Sequence, residues 1–262
     1  MATEQCSTGW NGPIIEPRIS AAALQLAVAL AGLRPPEIRL SGARAILDQK
    51  QVDCCISCAI TTCVEVLYPQ YEQLSPLFHY YETALHFQGR APRVNDGMEI
   101  DQGFRILTSV GICLFSLHPA PFDDAGVTMA PSPAAETDGK KRAMPPLPVT
   151  YVSPYKAIPL GLDPVNSVKE ALAGGKPVLA GIHLTANYGA VKLMDPGSPT
   201  GLRHAVAVLG YSDAEASFII QDSRGRDWAQ GGQWWLPYGI LASPNTIVFQ
   251  AFAVGYPPID KE

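Results

Sequence analysis

Charge is scarce in this chain of 262 residues: 16% are charged against 47% hydrophobic, and the net charge is −5. Acidic and basic residues are interspersed, so no broad basic face forms to neutralise phosphates, and nucleic acid is not an expected partner. Long apolar runs are missing too. The most apolar stretch, Ala21–Leu33, falls short of the roughly 20 residues that a helix needs to cross a bilayer, so no membrane partner is expected. It follows Glu16, has only Arg18 as a nearby base, and lacks a small-residue cleavage pattern before Arg34, all of which argue against a cleaved signal peptide. The expected location is cytoplasmic, or exported by a route that removes no such peptide.

Cysteine is sparse and unevenly placed. There are 6, and Cys54, Cys55, Cys58 and Cys63 crowd together while Cys6 and Cys113 stand apart, which is not the spacing of a disulfide framework. Histidine is scarcer still, with 5 in the chain and none beside the cysteine cluster in sequence, so zinc-type ligand spacing is not met. No metal and no cofactor are expected. There is no internal repeat, and no signal for an oligomeric state.

The apolar pattern that is present divides the chain. Ala21–Leu30 favours helix by propensity, and helix signals recur at Cys55–Leu67, Leu77–His86, Met98–Val110 and Pro164–Ala173, each stopped by Pro or Gly nearby. From Lys176 onward the texture changes to short apolar or β-branched runs between turn residues: Pro177–Ile182, Ala205–Leu209, Phe218–Ile220 and Thr246–Val254. Helices first and strands later predict an α+β fold with two segregated lobes, and a site in the cleft between them. The Pro-rich stretch Pro119–Pro159 reads as a long, partly flexible excursion.

One segment stands out chemically. Asp48-Gln49-Lys50-Gln51-Val52-Asp53-Cys54-Cys55 is a polar loop feeding a helix whose buried stripe is expected at Ala59, Cys63, Val66 and Leu67. Cys55 therefore falls at the first helical turn, where unpaired N–H groups and the helix dipole favour a thiolate. Taken alone, that position suits a reactive thiol and a small core residue equally. Far along the chain, His204 opens the hydrophobic run Ala205–Leu209, about 150 residues after Cys55. A second run, Phe218–Ile220, delivers Asp222, and two neighbouring strands can present both side chains together.

Over about residues 35–256 these features resemble the papain family of cysteine peptidases, especially its compact bacterial members. The family's spacing of six residues from glutamine to cysteine is met by Gln49 and Cys55. Its Leu-Ser-Pro block with a Tyr-containing helix resembles Leu74-Ser75-Pro76 followed by Tyr80-Tyr81, and its glycine-bearing substrate edge resembles Asp96-Gly97-Met98. Its His-Ala-Val strand and Gly-Tyr turn are similar to His204-Ala205-Val206 and Gly210-Tyr211, and its late aromatic segment to Gly231–Tyr238. The shared order of the blocks is what makes the likeness specific.

The resemblance implies a papain-like two-lobed fold, with a helical left lobe, an antiparallel sheet or barrel as the right lobe, and the active-site cleft between. It implies an N-terminal extension over 1–34 and a catalytic domain over 35–262, with the helical lobe at about 48–118 and the β lobe at about 150–256. The implied activity is peptide-bond hydrolysis on peptide or protein substrates. Cys55 is the implied nucleophile, His204 its proton carrier, Asp222 the orienting residue and Gln49 the oxyanion donor, with Gly97, Met98 and Arg203 along the substrate. An acyltransferase, cyclase or deamidase using the same Cys-His-Asp set, or an inactive binding homologue, are the alternatives.

The chain departs from the family pattern in three places. Asp222-Ser223-Arg224-Gly225 stands where the family has Asn-Ser-Trp-Gly, which replaces an aromatic cover with a guanidinium able to compete with His204 for Asp222. The Cys54-Cys55 doublet makes the nucleophile a choice, which the spacing from Gln49 decides for Cys55, leaving Cys58 buried. Residues 1–34 are short for a family propeptide and read as a structural extension, with a short pro-like segment lying in the cleft as the alternative. His79, His86, His118 and His183 are read as packing or surface residues, and Trp228, Trp234 and Trp235 as core or pocket-lining.

Overall fold

The computed structural model describes residues 34–147 and 153–256. The helical expectation at Ala21–Leu30, and almost all of the proposed extension, lie outside the described residues.

Helix α1 spans Cys55–Leu67, α2 Pro76–Gln88 and α3 Ile100–Ser109. Their ends follow local chemistry. Ser75 accepts the Phe78 N–H ahead of Pro76, and α2 stops at Gly89 in the left-handed region, where a missing Cβ removes the strain. At the head of α3, Glu99 and Gln102 form a reciprocal capping box.

Helix α1 corrects the sequence reading in one respect: it is buried on every side from Cys55 to Val66, not along one stripe, and Leu67 is only partly buried. It runs between the sheet and helices α2 and α3, and its polar residues find partners indoors. Ser57 Oγ pairs with His79 Nδ1 at 2.9 Å, and Glu65 accepts the backbone N–H groups of Arg44 and Leu74 at 2.7 and 2.8 Å. Satisfied in this way, a polar side chain can be buried at little cost. Gly103 on α3 sets how closely the helices approach, since a Cβ there would lie 2.8 Å from the Ile60 side chain.

The stretch Pro119–Pro159 carries two short helices that its composition does not signal, α4 at Asp124–Thr128 and α5 at Pro133–Lys140. Both begin at a side-chain cap, Asp123 and Ser132 respectively. Asp138 of α5 accepts the Leu114 N–H at 2.9 Å, and Ala135 packs with Phe78 and Ile106. Residues 148–152 of that stretch lie outside the described residues.

The strands are β1 (Glu37–Arg39), β2 (Tyr155–Ala157), β3 (Val178–Thr185), β4 (Pro199–Ser212), β5 (Ser217–Gln221), β6 (Gln233–Pro237) and β7 (Val248–Val254), with helices α6 (Pro164–Ala173) and α7 (Tyr238–Leu241) between them. The order is β2-β7-β3-β4-β5-β6, every named pair antiparallel, and β1 joins the far end of β4. The sheet is open among the described residues. Alternation along β4 sends Ala205, Ala207 and Leu209 into the core that also holds α1, and Val206 and Val208 into a second core behind the sheet. The small side chains of Ala205 and Ala207 stand on the side of the sheet that α1 packs against. Each buried Leu, Ile or Phe in these layers contributes roughly 1.5–3 kcal/mol of hydrophobic stabilisation.

Candidate active site

Three backbone segments converge on Cys55. The loop before α1 is tied to the segment after β5: Gln49 N–H donates to Ser223 O at 2.8 Å and Gly225 N–H to Leu47 O at 2.8 Å, an antiparallel backbone pairing that sets Asp48 opposite Arg224. Asp53 N–H donates to Val94 O at 2.6 Å, which draws the Arg93–Met98 loop against the same spot. The third segment is β4, which carries His204. Sequence reading placed His204 at a strand entry, whereas β4 starts at Pro199 and pairs Thr185 with Pro199, because this turn-rich stretch still extends the hairpin in solvent. His204 is where β4 turns from exposed to buried.

Gln49, Cys55, His204 and Asp222 are all buried. His204 Nε2 pairs with Asp222 Oδ1 at 2.9 Å. Its other nitrogen, Nδ1, makes no hydrogen bond among the described residues, and the Cys55 thiol lies close enough to the ring to raise its pKa. The ring is held by the carboxylate and leaves Nδ1 free of any hydrogen bond to nitrogen, oxygen or sulfur among the described residues. Burial by itself would lower its pKa, but the charge and hydrogen bond of Asp222, together with Cys55, outweigh that and raise it to about 9. Burial would raise the Asp222 pKa, yet His204, Tyr188 and Arg224 hold it below the ordinary carboxylate value.

Asp222 accepts from four donors: His204 Nε2 and its neighbour Ser223 N–H (2.9 Å) on Oδ1, and the Tyr188 hydroxyl and Trp234 Nε1–H (3.1 Å) on Oδ2. Arg224 does not displace His204. Its Nε stays 3.9 Å from Asp222, and its guanidinium lies 4.5 Å above the Trp228 ring and 5.1 Å above Tyr188. Tyr188 also meets the His204 ring edge-on, with centroids 6.1 Å apart, so this aromatic group covers the pair where the family's Trp is lost.

Cys54 turns away from this arrangement. Its sulfur packs 3.7 Å from that of Cys58, and burial pushes its pKa well above the usual thiol value. The Gln49 side chain is gripped at both ends, its Nε2 donating to Val52 O at 2.7 Å and its Oε1 accepting the Ser223 hydroxyl. Gly97 sits at φ +62, a conformation suited to glycine, and the sulfur of buried Met98 lies 3.6 Å from the Ser57 hydroxyl oxygen. Arg203 is one residue from His204 and lies 5.4 Å from the Phe249 ring.

The remaining singled-out residues fall elsewhere. His79 is spent between Ser57 and Gly103 O (2.9 Å), and burial lowers its pKa to about 4. His86 pairs with Glu82, and His118 is buried. Sequence reasoning missed Tyr188, Ser223 and the reach of Trp234 to Asp222. Ser223 adjoins Asp222 and was within view, while Tyr188 lies in the turn after β3 with no local pattern to mark it.

A model of the Peptidase_C39 like family matches residues 133–243, the part that carries His204 and Asp222. No curated protein sequence matches the chain significantly. Among solved structures, xylellain, a cysteine protease from Xylella fastidiosa, is similar with a TM-score of 0.72 and 18% identity, covering 97% of this chain and 98% of that one. Digestive procathepsin L 3 of Tenebrio molitor larval midgut gives 0.61 at 17% identity over 96% of this chain and 76% of that one. The bromelain protease of Ananas comosus gives 0.62 at 15% identity over 84% and 99%. The chain has the fold of the papain-like cysteine proteases.

Proposed function

We propose that the chain is a thiol peptidase in which Cys55 attacks a peptide carbonyl. The observation that carries this reading is the imidazole of His204, paired with the Asp222 carboxylate at 2.9 Å and close enough to the Cys55 thiol to feel it. Asp222 accepts a hydrogen bond from Nε2–H, which leaves Nδ1 to exchange a proton with the thiol. The helix start adds backbone donors without intrahelical partners beside the sulfur.

Attack by the thiolate gives a tetrahedral oxyanion. Its donors are the Cys55 backbone N–H and the second N–H of the Gln49 amide, the first being held by Val52 O. The His204 imidazolium gives its proton to the leaving amine as the C–N bond breaks and a thioester remains. Water then attacks the thioester with His204 as base, which releases the acid and the free thiol. Gly97 and Met98 form the edge along which an extended substrate backbone lies, opposite Arg203.

A peptide-library digest with the native chain, followed by mass spectrometry, tests this. Cleavage products that vanish in Cys55→Ala support it. Products joined to an added primary amine, with no hydrolysis, would point instead to acyl transfer by the same residues. No covalent thiol chemistry at all would leave a binding role.

A further inference from the structure

We propose that the indole N–H of Trp234 makes an anion obligatory at position 222, so that Trp234 is a positioning residue acting through Asp222 on His204. The inference rests on the thiol-peptidase reading and concerns how the imidazole is held. Asp222 Oδ2 takes two donors, the Tyr188 hydroxyl and Trp234 Nε1–H at 3.1 Å, while Oδ1 takes His204 Nε2 at 2.9 Å and Ser223 N–H at 2.9 Å. The two donors on Oδ2 are not alike. A hydroxyl can rotate and become an acceptor, whereas an indole nitrogen only donates.

An amide at position 222 has one oxygen, and either placement of it fails. With the oxygen facing His204, the amide NH2 meets Trp234 Nε1–H, donor against donor, in a site where Trp234 is 2% exposed and shielded from bulk solvent. With the oxygen facing Trp234, the NH2 faces His204 Nε2 and the Ser223 N–H. The imidazole must then carry its proton on Nδ1, toward the sulfur, and can no longer accept the thiol proton. The first placement is excluded by one N–H bond alone, since Tyr188 can turn its hydroxyl to accept. The asparagine usual in the family at this place is therefore incompatible with this particular surround.

The inference is tested by rescue. Asp222→Asn should lose on the order of 10³-fold in kcat/KM, as expected for the wrong imidazole tautomer. Trp234→Phe in that background removes the opposing donor and should restore about tenfold or more. In the native background Trp234→Phe should cost no more than about tenfold. Should Phe at 234 unfold the chain, as melting would reveal, the tryptophan isostere with sulfur in place of the ring N–H makes the same deletion without loss of volume. Ring nitrogen NMR of His204, taken above pH 9 where the ring is neutral, reads the tautomer without turnover: proton on Nε2 in the native chain, on Nδ1 in Asp222→Asn, and back on Nε2 in the double variant. No recovery in the double variant, with its tautomer unchanged from Asp222→Asn, would overturn the inference. An inactive native chain with the expected tautomer switching would instead overturn the peptidase reading alone.

Discussion

At the residue scale, the two adjacent cysteines have opposite surroundings. Cys55 faces an imidazole, whereas Cys54 faces another sulfur and is held protonated by burial. Cys55→Ala should abolish peptide turnover and Cys54→Ala should retain about a tenth or more, since only the first removes the proposed nucleophile. Steady-state kinetics on both variants decides it, and the reverse order would mean that the other sulfur attacks. The raised pKa of His204 also makes a prediction about stability. Its proton is bound more tightly in the folded chain, so the stabilisation is fully present below the unfolded imidazole value of about 6.5. It is lost as pH rises through about 9. Asp222 acts in the opposite sense, its lowered pKa giving stability above the unfolded carboxylate value that disappears as pH falls through its folded one. Melting temperature should therefore decline through pH 9, and less steeply in His204→Ala; parallel profiles for the two chains would count against the charged pair.

At the scale of elements, sequence patterning read the helices more fully than the sheet. Cys55–Leu67 and Pro164–Ala173 are bounded as their turn residues and prolines predict, because capping is local chemistry. The edge strands β1 and β2 are only three residues each, too short for alternation to show, and β4 is longer than its apolar run because pairing with β3 continues into solvent. Burial of Ser57, Thr61 and Glu65 was illegible for a related reason: their surroundings come from elements far away in sequence. Glu65 is the sharpest case, since one carboxylate serves two backbone N–H groups, of Arg44 and Leu74. Glu65→Ala leaves both without that acceptor and should cost roughly 2–4 kcal/mol, read by urea denaturation. A loss below about 0.5 kcal/mol, the ordinary scatter of surface substitutions, would show that these bonds are replaced by water.

Across the whole molecule, the candidate site exists only where distant segments are stitched together. Gln49, Cys55, His204 and Asp222 were legible as candidates because each lies next to an apolar run that local patterns mark, although His204 sits inside β4 rather than at its start. What surrounds them was not, since Tyr188 and Trp234 reach Asp222 from a turn and a strand that no spacing rule connects. The stitch between Gln49 and Ser223 spans the helical layer and the sheet, by a backbone bond and by the Ser223 hydroxyl on Gln49 Oε1. Ser223→Ala frees the amide that is to meet the oxyanion, so kcat should fall roughly tenfold with KM nearly unchanged. A rise in KM alone would place Ser223 in ground-state binding.

The most direct test of the thiolate–imidazolium pair is covalent labelling with an epoxide inhibitor of thiol peptidases, mapped by peptide mass spectrometry on the native chain and on His204→Ala. The expected result is one adduct, on Cys55, formed at least a hundredfold more slowly without the imidazole, on the order expected for removing the base of a Cys–His pair. An unlabelled Cys55, or equal labelling rates in both chains, would contradict it.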